Sequence, residues 1–279
     1  MKLFKYLPLL LCMLISSCSH AEQREIKSSD FMKDLKSGKS ITVVNKIILD
    51  NVDFTSTENY QILGTQLQNV IEGNISFVNC VFMSDVTALG KKDNASVSTK
   101  FNNNLQFVNC DFRGTVTFDN AVVMGTTNFN KAKFLKPASF NNMTIWAKDS
   151  YFSEIEAEDN VSFIYSSFYG NLYIMDGKFN GDFSLQNALV NGKLLANGLQ
   201  CSKAAEFDMS SIRGRAIFNY STFEKQASFI QARFFDDADF VETNFSESAN
   251  LEGTYFFGKL NMGDKVYPCN REMKDLMKY

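Results

Sequence analysis

One histidine, one tryptophan and three prolines are all that the 279 residues contain of those types. The histidine is His20, next to a processing site argued below, so imidazole acid-base catalysis and a histidine-held metal are excluded from the folded body. None of the six cysteines forms a Cys-x-x-Cys pair or any other metal-ligand spacing, and no metal or cofactor is expected. With 28 basic against 31 acidic side chains there is no positive excess to hold a phosphate backbone, and no nucleic-acid partner is expected. What the chain has in excess is phenylalanine, 27 residues. A mixed core does not require that bias, whereas a repeat does.

The first segment reads Met1-Lys2-Leu3-Phe4-Lys5, an apolar stretch from Tyr6 to Ile15, then Ser16 and Ser17. This is the charged, apolar and small-residue order of a secretory signal, too short in its apolar part to span a bilayer. Ile15-Ser16-Ser17-Cys18 resembles the lipobox of bacterial lipoproteins. That resemblance implies acylation of Cys18, removal of residues 1–17 and anchoring to a membrane through the lipid. Ser19 after the cysteine implies the outer membrane of a two-membrane cell envelope. Loss of Lys2 and Lys5 takes the net charge from −3 to −5. Residues 19–28 carry no hydrophobic period and read as a polar tether.

Stepping alternately by five and six residues from Phe163 meets an apolar residue every time, through Phe168, Ile174, Phe179 and onward to Met262, although only 45% of the chain is apolar. A second block runs from Phe101 through Phe107, Phe112, Phe118, Val123, Phe129, Phe134, Phe140 and Ile145 to Tyr151, and a third from Ile71 through Phe77 and Phe82 to Ala88. Two residues before most of these stands a small one, as at Ala132, Ala138, Ala205, Ala216 and Ala227. Neither the 3.6-residue helical period nor the two-residue strand period gives this pattern. A chain that turns a corner after each short extended side does. Four sides of 5, 6, 5 and 6 residues make a coil of about 22 that stacks Phe207 under Phe229 and Phe218 under Phe240.

Ala-Ser-Phe229-Ile-Gln, Ala-Arg-Phe234-Phe-Asp and Ala-Asp-Phe240-Val-Glu resemble the units of pentapeptide-repeat proteins. The resemblance implies an all-β fold, a right-handed quadrilateral parallel β-helix over residues 41–262, with the six-residue units as a departure at the corners. Residues 18–40 then supply the tether and a cap, since Ser29 to Lys36 before Gly38 is a short amphipathic helix pattern. Residues 263–279 form the other cap, with Asn270 to Tyr279 expected as a basic-ended helix.

Two interruptions stand out. Residues 89–100 lack a large side chain and read as a loop thrown off the rod, and the walk slips by one residue between Tyr151 and Phe163. The acids from Glu154 to Asp159 lack the spacing of a calcium loop and read as a solvated cluster. Cys80 and Cys110 sit in repeated Phe-Val-Asn-Cys contexts in the small inward column. They are either bridged across adjacent coils or two small buried thiols. Cys201 reads as a core filler. Lys193, Arg215, Asp237 and Lys259 fall on one outward line, a surface charge ladder. Tyr169, Asn191, Arg213, Phe235 and Phe257 fall on another, and Tyr169, Arg213, Phe235 and Phe257 form the candidate binding surface.

An uninterrupted structural repeat, an anchor and no catalytic constellation point to a non-enzymatic envelope scaffold with a protein partner. The alternative is a protein that binds or cleaves envelope polysaccharide, since some polysaccharide-cleaving enzymes are β-helices. Family members that mimic DNA imply a third role, but they need a strongly acidic cytoplasmic rod, which the export signal and modest charge oppose.

Overall fold

The computed structural model describes residues 24–64, 66–247 and 249–267, and the backbone of 271–272. Cys18, the leader and half of the tether, residues 19–23, lie outside these residues. The chain winds as a four-sided solenoid whose sides are mostly strands of two residues, each pairing in parallel with the strand one coil away. The first face begins at Ile41–Val44, the second at Arg24–Ile26 followed by Lys46–Ile48, the third at Val52–Asp53 and the fourth, in its parallel part, at Gln66–Ile71. Backbone hydrogen bonds therefore run along the rod, and the third face alone stacks nine strands among the described residues. At about 4.8 Å per coil that makes a rod roughly 40 Å long.

The predicted inward positions are buried from Phe77 to Phe240 with one exception, and Phe245, Leu251 and Met262 are partly covered at the far end. Within a face the rings stack in parallel, as in Phe77 on Phe107 at 5.1 Å and Phe207 on Phe229 at 4.7 Å. Between faces they meet edge-on, as Phe129 and Phe140 do at 5.2 Å and 78°. Both arrangements bring the positive edge or offset face of one ring to the negative face of another. The five-residue sides turn on a left-handed residue, often asparagine, such as Asn109 at φ 52° and Asn142 at φ 54°. Asparagine tolerates that region better than most side chains.

The exception is Tyr151. It lies partly exposed and stacks on Tyr173 at 5.0 Å, while Phe152 takes the inward position. The slip is therefore one corner earlier than predicted. Val122 and Val123 pair with Thr144 and Ile145, 22 residues on, whereas Thr127 and Asn128 pair with Ser150 and Tyr151, 23 residues on. One extra residue sits between Ile145 and Ser150, and for one coil the period becomes 23.

The segment 89–100 is no loose loop. Leu89–Lys92 and Ala95–Phe101 form an antiparallel hairpin around Asp93 and Asn94, both with positive φ, and Ala95–Phe101 also pairs with Gln66–Ile71. Val97 and Thr99 are buried on it, and the Thr99 hydroxyl donates to Ala88 O at 2.8 Å. The reading failed because a two-residue Asp-Asn turn and the alternation Val97, Thr99, Phe101 signal a strand even without a large side chain. A second hairpin, Tyr60–Leu63 with Gln66–Ile71, widens the same end of the fourth face.

Both ends are closed. Helix α1, Ser29–Lys36, buries Phe31 and Leu35 as predicted, with Phe31 edge-on to Phe77 at 5.2 Å. Gly38 at φ +79° ends it. The tether enters the fold earlier than expected, because Arg24–Ile26 pairs in parallel with Lys46–Ile48. The far end departs from the helical expectation where it is described. Val266–Tyr267 folds back antiparallel on Leu260–Asn261, and Arg271–Glu272 lies antiparallel to Tyr255–Phe256. A returning strand pairs the open N–H and C=O groups of the last coil, which a helix with its own bonds satisfied does not do. Gly263-Asp264 makes the turn, with Met262 N–H donating to Lys265 O at 2.9 Å. Residues 273–279 of the predicted cap lie outside the described residues.

Candidate partner-binding face

On each strand of the fourth face the inward residue is flanked by two that point outward. The strand pairing aligns those before it as Val122, Thr144, Ser167, Leu189, Ser211, Arg233 and Tyr255. The residues after it form a second row, Met124, Trp146, Tyr169, Asn191, Arg213, Phe235 and Phe257. Each holds its place by an N–H donated to the coil before, as Tyr169 does to Ile145 O and Arg213 to Val190 O, both at 2.9 Å. Neither row holds a carboxylate from residue 122 to 257, although the whole chain has more acids than bases. Arg213 makes no ion pair among the described residues.

The second row carries the exposed rings. Trp146 stacks on Tyr169 at 3.8 Å and 14°, and these are 48% and 43% exposed. Phe235 stacks on Phe257 at 4.7 Å and 6°, with Tyr255 beside Phe257 at 4.4 Å. The predicted surface residues Tyr169, Arg213, Phe235 and Phe257 thus do share one face, and Phe235 and Phe257 do cover each other. Met124 and Trp146 belong to the same row and were missed. Counting back 22 from Tyr169 reaches Ala147, but the 23-residue coil puts Trp146 opposite Tyr169. Asn191 and Arg213 separate the two ring stacks. Gly192 and Gly214 follow them, and a Cβ on Gly214 would fall 2.7 Å from the Gly192 backbone, so the corner beside them is bare and close-packed.

The other predicted positions have plainer environments. Along the charge ladder, Arg215 pairs with Asp239 at 2.6 Å, and Lys259 N–H donates to Asp237 at 2.9 Å. In the acidic cluster, Glu154 and Glu156 meet Lys131 at 3.4 Å and Lys133 at 2.7 Å, and no group of three metal-binding side chains occurs among the described residues. Cys201 is buried, which pushes its thiol up to about 12.

Cys80 and Cys110 stand on adjacent coils, fixed by the pairing of Val81 with Asp111, and both are free buried thiols, not a disulfide. They line an open cleft of about 280 Å³ with Asn79, Asn109, Lys131 and Lys133. Hydrogen bonding from Cys110 holds Cys80 below the ordinary thiol range, while burial, and then the shared proton, push Cys110 up. Ionisation of Cys80 is thus easier in the folded chain than in the unfolded one. Its contribution to stability is full above the unfolded thiol pKa and is lost as pH falls through the folded one. In a Cys269→Ser background, thiolate absorbance should rise at lower pH in the parent than in Cys110→Ala. Coincident titrations would mean that the two thiols do not share a proton.

Residues 97–144 and 207–254 match the family model for pentapeptide repeats, in nine copies. No curated protein and no solved structure matches the chain. The stretch between the two matched segments continues the same four faces strand by strand, and the chain, similar to pentapeptide-repeat proteins over those two segments, is folded as a quadrilateral β-solenoid.

Proposed function

We propose that this solenoid is a non-enzymatic scaffold of the bacterial cell envelope, anchored by lipid at Cys18, that captures a partner on its fourth face. The observation that carries the reading is the row of exposed large apolar side chains from Met124 to Phe257, in a stretch of the face, residues 122–257, whose two outward rows hold no carboxylate. Five of its seven side chains are large, apolar and at least 38% exposed, a cost that a solvated face does not usually bear. Cleavage of a glycosidic bond by the usual pair of carboxylates has no support on this face, because neither row supplies one. The lipobox supports the anchor and an outer-membrane location, with the polar tether holding the rod off the bilayer.

Crosslinking in intact cells tests the reading. A photoreactive residue at Leu189 should capture a defined species with the parent protein and lose it with Phe235→Ser/Phe257→Ser. Cys18→Ser should move the protein from the membrane fraction to the soluble one. Capture that is unchanged in the double variant overturns the face, and membrane retention of Cys18→Ser overturns the anchor.

A further inference from the structure

The two ring stacks do not form one continuous strip. Trp146–Tyr169 and Phe235–Phe257 are separated by the two coils that carry Asn191 and Arg213. Three coil steps lead from Tyr169 to Phe235, about 14 Å at the ordinary interstrand spacing. Because the rings of each stack lie nearly parallel and pile up along the rod, each stack turns one face toward the interval, the Tyr169 ring from one side and the Phe235 ring from the other. Arg213 stands in the interval exposed and without an ion pair among the described residues. The Asn191 side-chain oxygen is buried there and accepts no hydrogen bond among the described residues. A buried acceptor left unpaired is destabilising, so a ligand donor there is favoured.

These four groups ask for one kind of ligand. It must offer apolar faces to two rings, an anion to a guanidinium and a hydroxyl to an unpaired amide oxygen. A pyranose carrying a carboxylate combines all of these, its C–H faces apolar and its hydroxyls equatorial donors. Aromatic anions lack the hydroxyls, and acidic peptides lack the paired flat faces. The length of the row, which runs from Met124 through both stacks to Phe257, suits a chain rather than a single sugar.

We infer that the interval between Tyr169 and Phe235 is a binding site for an acidic polysaccharide, with Arg213 taking a uronate carboxylate and Asn191 accepting from a sugar hydroxyl. The inference rests on the scaffold reading and makes its partner a glycan. Arg233, in the neighbouring row on the next coil, extends the cationic strip along the chain direction.

Trp146 is the sole tryptophan and stands in one of the stacks, so its fluorescence reports occupancy directly. The full acylated protein in detergent is titrated with hexagalacturonate, its methyl ester, and poly-glutamate as a peptide anion. Hexagalacturonate should change Trp146 emission saturably, and the ester should bind at least tenfold more weakly. Arg213→Ala and Phe235→Ser should each weaken the acid at least tenfold, and Asn191→Ala should weaken it less. Arg213→Lys should recover part of the loss, and unchanged thermal unfolding of the variants shows that they fold. Absence of binding, equal binding of acid and ester, or equal binding of poly-glutamate overturns the inference. If the glycan fails while Leu189 still captures a protein in cells, the scaffold reading stands and only the ligand class falls.

Discussion

Phe140→Ala should lower the unfolding free energy by about 3 to 5 kcal/mol, the range for removing a large ring from a core that relaxes only in part. Phe140 is fully buried on the third face. It stacks between Phe118 at 5.9 Å and Phe163 at 4.9 Å, and meets Phe129, Phe134 and Phe152 edge-on. The cavity cannot close by a shift of one neighbour, because the same ring positions are fixed by backbone bonds to the coils above and below. Phe140 N–H donates to Ser162 O at 2.8 Å, and Phe118 N–H to Ser139 O at 2.7 Å. Urea unfolding monitored by backbone circular dichroism measures the loss. Phe245→Ala, at the partly exposed end of the second face, is the comparison and should cost clearly less. Equal losses at the two sites would mean that stability does not depend on depth in the ring stack.

Leu35→Asp should make the rod self-associate more strongly than the parent. Leu35 is 2% exposed beneath α1, so the substitution places a carboxylate where no cation answers it, a change that costs several kcal/mol. The helix has only eight residues and is held by Phe31 and Leu35, so it should leave the rod before the rod unfolds. That exposes the first coil, whose Ile41–Val44 strand pairs on one side only, with Ile75–Val78. Open strand edges recruit other strands. Sedimentation velocity over a range of concentrations should show more association for Leu35→Asp than for the parent, and no increase for the exposed-face change Lys33→Asp. A Leu35→Asp that sediments like the parent with an intact far-ultraviolet spectrum would show that α1 is not the lid.

Much of the fold was legible because its unit is short and its inward residues are large. The step of five and six identified four sides, the 22-residue coil and the inward column from Phe163 onward. The failures have particular causes. Tyr151 and Phe152 are adjacent aromatics, so the extra residue between Ile145 and Ser150 left an apolar residue at the expected position and hid itself. That single displacement also hid Trp146 from the row that contains Tyr169. The hairpin at Asp93-Asn94 buries the β-branched Val97 and Thr99, which a search keyed to phenylalanine passes over, and the return at Gly263-Asp264 leaves Val266 exposed, so it adds no inward column to find. Of the candidate face, the exposed row could be read from spacing. Its division by Asn191 and Arg213 acquired meaning only once ring planes, burial of the amide oxygen and absence of ion pairs were known.

The pairing of each strand with one a single coil away has a kinetic consequence. Most paired residues are 22 or 23 apart, with 30 and 34 only beside the inserted hairpins. Divided by chain length, that is a relative contact order of about 0.08 to 0.12, the range of helical bundles rather than of β-sandwiches. Loop closure is then nearly the same small cost at each step, and assembly advances from whichever coil forms first. An all-β chain built this way should fold on the timescale of a small helical protein, with the rate set by the first two coils and not by the length of the rod.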